Sequence, residues 1–252
     1  MILRASLRWL ICLLLAWVAL ELFFVVRIAL MAWIDPQSTT FQRSEAWQIA
    51  VHGRANGGKA WQQDWVPYER IADNLKRAVI ASEDSDFIRH TGVEWDAIEK
   101  AYRRNEKAEA LAARRAAQSI VEGKPPPAPK LRGGSTITQQ LAKNLLLSGE
   151  RTMLRKGQEL VLTTLLELLL DKRRIFEIYL NNVEWGEGVF GAEAAAQHYF
   201  GKPAARLNAA EAARLAVMLP SPKFFERRIM SSAYLSSRCA TIMARMRAAD
   251  PP

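Results

Sequence analysis

The chain has 252 residues, half of them hydrophobic, enough for one large domain or two small lobes. Its 35 Lys and Arg against 26 Asp and Glu leave a net charge of +9, so anionic partners are expected. Cys12 and Cys239, one near each end, do not make a disulfide framework, and His52, His90 and His198 lack the spacing of a zinc site.

From Leu7 to Trp33 the sequence is almost wholly apolar, longer than the ~20 residues that cross a bilayer core. Trp9 to Leu20 resembles the core of a signal peptide. No clean Ala-x-Ala site follows it, however, and the apolar pattern resumes after Glu21, so residues 1–34 are expected to be a retained single-pass anchor. Arg4 and Arg8 precede the span and Asp35 follows it, which places the N-terminus in the cytoplasm and the rest of the chain in the periplasm. That topology argues against nucleic acid as the anionic partner. Residues 35–64 are mixed and Trp-rich, with a turn at Gly57-Gly58, and read as a connector holding a short strand or two.

A helix begins near Asp73 with Leu75, Val79 and Ile80 on its buried face, and it ends at Glu83. Glu83 stands beside Asp84 and Asp86 at the edge of an apolar wall. Such a carboxyl tends to have a raised pKa and to suit general-base work, although a solvated acidic helix end has the same pattern. Val93 to Val121 is again helical in pattern. Residues 123–130 are proline-rich and admit no helix, as either a mobile flap or a surface insertion.

The stretch from Arg132 to Glu159 carries the densest chemistry. Thr136 and Gln139 have capping-box spacing, Ile137, Leu141 and Leu145 form an apolar stripe, and Gln140, Lys143 and Asn144 fall on the other face. Gly149 is a natural stop, and a second helix from Thr152 sets Arg155 and Glu159 one turn apart. Lys143, Arg151, Arg155 and Lys156 beside a helix start suit a phosphate or diphosphate; the alternative is a capped surface helix with solvated charges. Val161 to Leu170 is apolar on nearly every face and reads as a buried central helix. Asp171 caps a basic amphipathic segment, residues 181–188 read as a polar glycine loop, and Val189 to Phe200 as a helix stopped by Gly201. Asn208 and Glu211 form a second capping box, opening a helix that runs to Leu219. Residues 223–252 read as a basic, weakly amphipathic tail. The soluble part is expected to be mostly α.

Five segments in order resemble the motifs of the peptidoglycan glycosyltransferases. They are Glu83-Asp-Ser-Asp-Phe-Ile-Arg-His-Thr-Gly92, Gly133 to Asn144, Arg155-Lys-Gly-Gln-Glu159, Arg174 to Asn182, and Ala213 to Pro220. They fall within residues 65–222, and they resemble in particular the monofunctional biosynthetic members of Gram-negative bacteria. The resemblance implies a bilobal lysozyme-like domain over 65–222, with a smaller membrane-facing lobe between the first two motifs. The Ala- and Pro-rich insert at 108–130 departs from those monofunctional members in the flap, not in the residues of the chemistry.

The implied reaction is polymerisation of lipid II onto a growing glycan strand at the inner membrane. Glu83 is the implied general base. Glu159 is expected to organise the cationic site, with Lys143, Arg151 and Arg155 on the diphosphate and Ser135 and Gln140 on sugar or phosphate oxygens. No protein metal site is expected; a divalent ion, Mg²⁺ or Mn²⁺, is expected only as a bridge through the substrate diphosphate. Other wall synthases or division proteins are the expected protein partners. Neither Ser-x-x-Lys nor Lys-Thr-Gly occurs, so transpeptidase activity is not expected. The rival readings are a lytic enzyme that cuts finished glycan and a non-catalytic lipid-binding scaffold.

Overall fold

The computed structural model of the chain describes residues 2–52, 61–121, 134–147, 152–226 and 233–252. The Gly57-Gly58 turn, the proline-rich linker, Gly133, Gly149 and Arg151 lie outside the described residues.

Helix α1 (Ile2–Leu30) is long and apolar enough to cross a membrane, and almost none of that span is covered by protein. Only its end joins the core, where Phe24, Ile28 and the following Met31 are buried. Inside the span, Glu21 accepts a hydrogen bond from Gln158 at 2.9 Å. Helix α2 (Thr40–His52) and strand β1 (Gln62–Gln63) follow. Most of α2 falls in a stretch with no apolar period, so its helical state comes from caps and tertiary bonds. Thr39 and Gln42 bond each other's backbone N–H reciprocally, and Thr40 donates to the Leu145 carbonyl.

Helix α3 (Asp73–Glu83) buries Leu75, Val79 and Ile80, as its pattern predicts. Helix α4 (Trp95–Val121) carries the chain out to the region between the first two motifs. Helix α5 (Ile137–Leu146) has the expected capping box and a fully buried Ile137, Leu141, Leu145 stripe.

Helix α6 (Met153–Leu169) corrects the reading of a helix buried all round. Leu162 and Leu166 are buried, but within the same stretch Val161 is 41% and Leu168 74% exposed. An all-round apolar helix belongs either in a protein core or against lipid, and α6 packs beside the membrane-length α1.

Helix α7 (Lys172–Asn182) is capped by Asp171 and staples the preceding chain to the domain. Arg174 binds the Met31 carbonyl, Asp35 and Glu177; Glu177 accepts from Tyr68 N, and Asn181 bonds both backbone groups of Val66. The polar residues of the fourth motif that face this way are therefore tethers.

The expected 181–188 loop is instead the end of α7 followed by strand β2 (Glu184–Gly186), and β3 (Val189–Phe190) occupies what reads as the first turn of a helix. The sheet order is β1-β3-β2, with β1 parallel and β2 antiparallel to β3. Gly191, at φ +83°, makes the exit turn; a Cβ there would stand 2.6 Å from the Asn181 carbonyl oxygen.

Helix α8 (Ala192–Phe200) ends at the left-handed Gly201, and α9 (Ala209–Met218) opens with the predicted capping box. A short α10 (Pro222–Glu226) and α11 (Ala233–Met246) complete the chain. In the stretch read as a tail, α11 packs on α3 and α9, burying Ile242 and Met246.

Candidate active site

Glu83 is the last residue of α3, and the chain turns at Asp84. Asp84 is buried and points inward. Its Oδ2 accepts from the Ile137 backbone N–H at 2.9 Å, which ties the end of α3 to the first turn of α5. His90 Nε2 lies 2.9 and 3.1 Å from the two Asp84 oxygens. Because Gly92 N donates to His90 Nδ1, the proton sits on Nε2, which donates to Asp84. Thr136 Oγ1 completes the lock by donating to the Gly92 carbonyl at 2.6 Å. Gly92 needs its positive φ of 85°, and a Cβ would meet Thr163 Cγ2 at 2.8 Å. The first two motifs are thus one rigid joint.

A cleft of about 710 Å³ opens beside this joint. Ser135, Gln140 and Lys143 line it from the α5 segment, and Arg155, Lys156 and Glu159 from α6. Phe41, Val183, Glu184, Leu219 and Pro220 supply a further, largely apolar part of the lining. Glu83 is one hydrogen bond behind the Gln140 side chain. Gln140 Nε2 donates to Glu83 Oε2 at 3.0 Å, and its Oε1 accepts from the Tyr179 hydroxyl at 3.1 Å. Ser82 Oγ reaches the other Glu83 oxygen at 3.3 Å.

Burial pushes the Glu83 carboxyl above its ordinary range; the Gln140 and Ser82 hydrogen bonds and the Arg238 charge pull it down, and the Asp84 charge adds to the rise. The direction agrees with the sequence-based expectation, although desolvation outweighs the neighbouring acid. Buried Tyr179, beside Glu83 and Asp84, is held well above the ordinary phenol range and stays a donor.

Glu159 is buried between cations. Arg155 donates to its Oε2 at 2.9 Å and Lys156 bonds its Oε1. The Arg155 Nε–H is buried and has no hydrogen-bond partner among the described residues. An unpaired guanidinium donor on the lining of a cleft suits an anion.

Of the residues singled out in the sequence, Ser135, Gln140, Lys143, Arg155 and Glu159 share this cleft, with Glu83 directly behind it. Arg151 lies outside the described residues. Gln140 lines the cleft, and its side-chain amide is bonded to Glu83 and Tyr179. Tyr179, the Asp84 lock, Phe41 and Glu184 were not anticipated. Only Asp84 carried a signal, an acid at the position just past a helix end.

Ligand atoms of Asp84, His90 and Glu94 lie within 4.8 Å of one another, a possible acidic metal-binding group. None of the three lines the cleft, and two of them are bonded to each other. Glu159 is likewise occupied by its two cations. These groups do not fit a protein-built metal cage facing the cleft.

A family model described as Transglycosylase matches residues 50–247. The chain is 52% identical over 237 residues to a protein of Burkholderia thailandensis named Biosynthetic peptidoglycan transglycosylase, covering 94% of this chain and 84% of that one. Proteins of the same name from Herminiimonas arsenicoxydans and Janthinobacterium sp. (strain Marseille) are each 50% identical over 252 residues, spanning 100% of this chain and 99% of theirs.

Proposed function

The chain belongs to the transglycosylase family, and on that premise we propose that it polymerises lipid II into glycan strands and releases undecaprenyl diphosphate. It is a peptidoglycan glycosyltransferase of cell wall biosynthesis with a mostly α, lysozyme-like fold and an N-terminal membrane-length helix. The observation that carries the mechanism is the Glu83 carboxyl held one hydrogen bond behind Gln140, at a cleft whose lining holds Lys143, Arg155 and Lys156.

In this mechanism ionised Glu83 takes the proton from the 4-hydroxyl of the acceptor N-acetylglucosamine. The hydroxyl oxygen attacks the anomeric carbon of the donor N-acetylmuramic acid with inversion, and the bond to the diphosphate breaks. A hydrolase cutting between sugars needs a second, protonated carboxyl to neutralise the leaving hydroxyl. A diphosphate leaves unprotonated when cations offset its charge. Arg155 and Lys143, with Arg151 from the adjoining segment, serve that purpose. Glu159 fixes Arg155 and Lys156, Ser135 holds a substrate oxygen, and Gln140 orients the base and favours its ionised form. A divalent ion, Mg²⁺ or Mn²⁺, would accompany the substrate through its diphosphate oxygens and offset part of their charge.

In this reading the N-terminus lies in the cytoplasm and the cleft at the outer face of the inner membrane, supported by Arg4 and Arg8 before the apolar run and Asp35 after it. The exposed apolar side of α6 beside α1 supports a domain seated against lipid. A periplasm-active reporter fused after Pro252 should give signal, and activity only from a cytoplasmic reporter would overturn this topology. The reaction is tested with purified lipid II: polymer should form. Soluble fragments released from finished wall would favour a lytic enzyme, and lipid binding without turnover a scaffold.

A further inference from the structure

Glu184, in β2, is the cleft-lining carboxylate that the mechanism leaves unused. Its side chain is only 10% exposed. Oε1 is buried and has no hydrogen-bond partner among the described residues. Lys223 Nζ, hydrogen-bonded to Glu45 of α2, forms an ion pair with this oxygen at 3.6 Å, beyond hydrogen-bond length. Phe41, Val183, Leu219 and Pro220 also line this cleft and bring apolar side chains with no hydrogen-bond donor.

Leaving a buried acceptor unmade is costly, and a charged one more so. A group kept in that condition on a cleft wall suits completion by a ligand that brings the missing donor. The cationic part of the lining already matches a diphosphate, so the donor must come from the uncharged part of the same molecule.

We propose that Glu184 is a specificity-determining residue whose Oε1 accepts a hydrogen bond from a hydroxyl or amide N–H of the saccharide-peptide portion of the substrate. This deepens the lipid II reading and rests on it. Lys223 acts as a shared counter-charge that keeps Glu45 and Glu184 tolerable together.

The surroundings give the contact a pH signature. Glu184 is pushed up to about 7, by burial first, with Glu45 of α2 and Glu226 of α10 adding to the rise and Lys223 opposing it. His198 and Tyr199 of α8 and Glu187 of the β2–β3 turn complete the titratable surroundings. The acceptor form is the ionised one, so substrate affinity should improve as pH rises through that value.

The test measures KM and kcat for polymerisation of lipid II between pH 6 and 8.5, in the full chain and in Glu184→Gln, with thermal melting of each. In wild type KM should fall as pH rises. Glu184→Gln should raise KM about 10- to 100-fold at pH 8, the usual worth of a hydrogen bond to a charged group, with kcat little changed and the pH dependence of KM lost. Glu184→Asp, which keeps the charge but retracts it by one methylene, should keep that pH dependence and covers the case in which the Gln variant does not fold. A lipid-linked disaccharide without its peptide separates the two donor sources: a persisting KM difference assigns a sugar group, and its disappearance assigns the peptide. An unchanged KM for both substrates overturns the proposal. So does a parallel loss of kcat and melting temperature reproduced by Glu45→Gln, which would make Glu184 a structural partner of Lys223. Failure of wild type to polymerise lipid II would overturn the parent reading instead.

Discussion

Gln140 Nε2 donates to Glu83 Oε2 at 3.0 Å, joining residues 57 positions apart in sequence. The bond fixes the carboxylate and stabilises its ionised form, against the burial that raises its pKa. In the proposed role of base, a carboxyl so placed is poised between two demands, basicity and ionisation at working pH.

Removing that amide should move the balance in a known direction. In Gln140→Ala the carboxyl loses a hydrogen bond that favours its charged form, so its pKa rises further. The acidic limb of the kcat–pH profile should therefore shift to higher pH, with lower kcat at pH 7 and partial recovery at pH 8.5. Tyr179→Phe, which frees the far side of the amide, should shift the limb the same way by less. A limb that stays in place in both variants would remove Gln140 from the positioning role.

Stability should respond to Glu83 with the opposite sign to activity. Below the usual carboxylate range both folded and unfolded chains are protonated at this site. As pH rises, the unfolded chain ionises first, because the folded carboxyl holds its proton longer. Wild-type stability falls through that window and then levels off once the folded carboxyl ionises too. Glu83→Gln escapes the loss, so it should melt at a higher temperature than wild type at pH 7.5 and alike near pH 4. Thermal melts at the two pH values check this, and a variant less stable at pH 7.5 would show that burial is not the main term.

Glu159 and Arg155 are an almost wholly buried pair, with side chains 3% and 16% exposed. Removing one charge of such a pair leaves the other uncompensated. Glu159→Gln should leave Arg155 and Lys156 mispositioned, raising the apparent Kd for a lipid diphosphate by roughly 10- to 100-fold along with the loss of rate. Arg155→Ala should do the same. Normal lipid affinity in a dead Glu159→Gln protein would move Glu159 from organising the cations to acting on the proton.

Much of the cleft was legible because its signals are local. The Thr136–Gln139 and Asn208–Glu211 boxes, the α3 and α5 stripes and the Arg155–Glu159 spacing each depend on neighbours in sequence. What was missed depends on distant partners. Helix α2 has no apolar period and stands on Gln42 bonds to Thr39 and Asn182, although the Thr39-x-x-Gln42 spacing was itself a readable cap. Strands of two and three residues are too short for an alternation to register. The exposed face of α6 looked like core because composition cannot tell lipid from protein interior. Residues of α11 such as Ile242 and Met246 find their place only against α3 and α9. Glu184 could not be singled out either, since Lys223 and Glu45, which set its surroundings, are distant in sequence and meet it only in the fold.

The role proposed for Glu83 is that of the base in a synthetic, lipid-consuming reaction. The most direct measurement is glycan polymer formed per unit time from purified lipid II by wild type and by Glu83→Gln, with lipid binding measured on both. Wild type should yield polymer, and Glu83→Gln should bind lipid II normally while turning over roughly 10²- to 10⁴-fold more slowly, the usual worth of a positioned base. Near-normal polymerisation by Glu83→Gln would take the role of base away from Glu83.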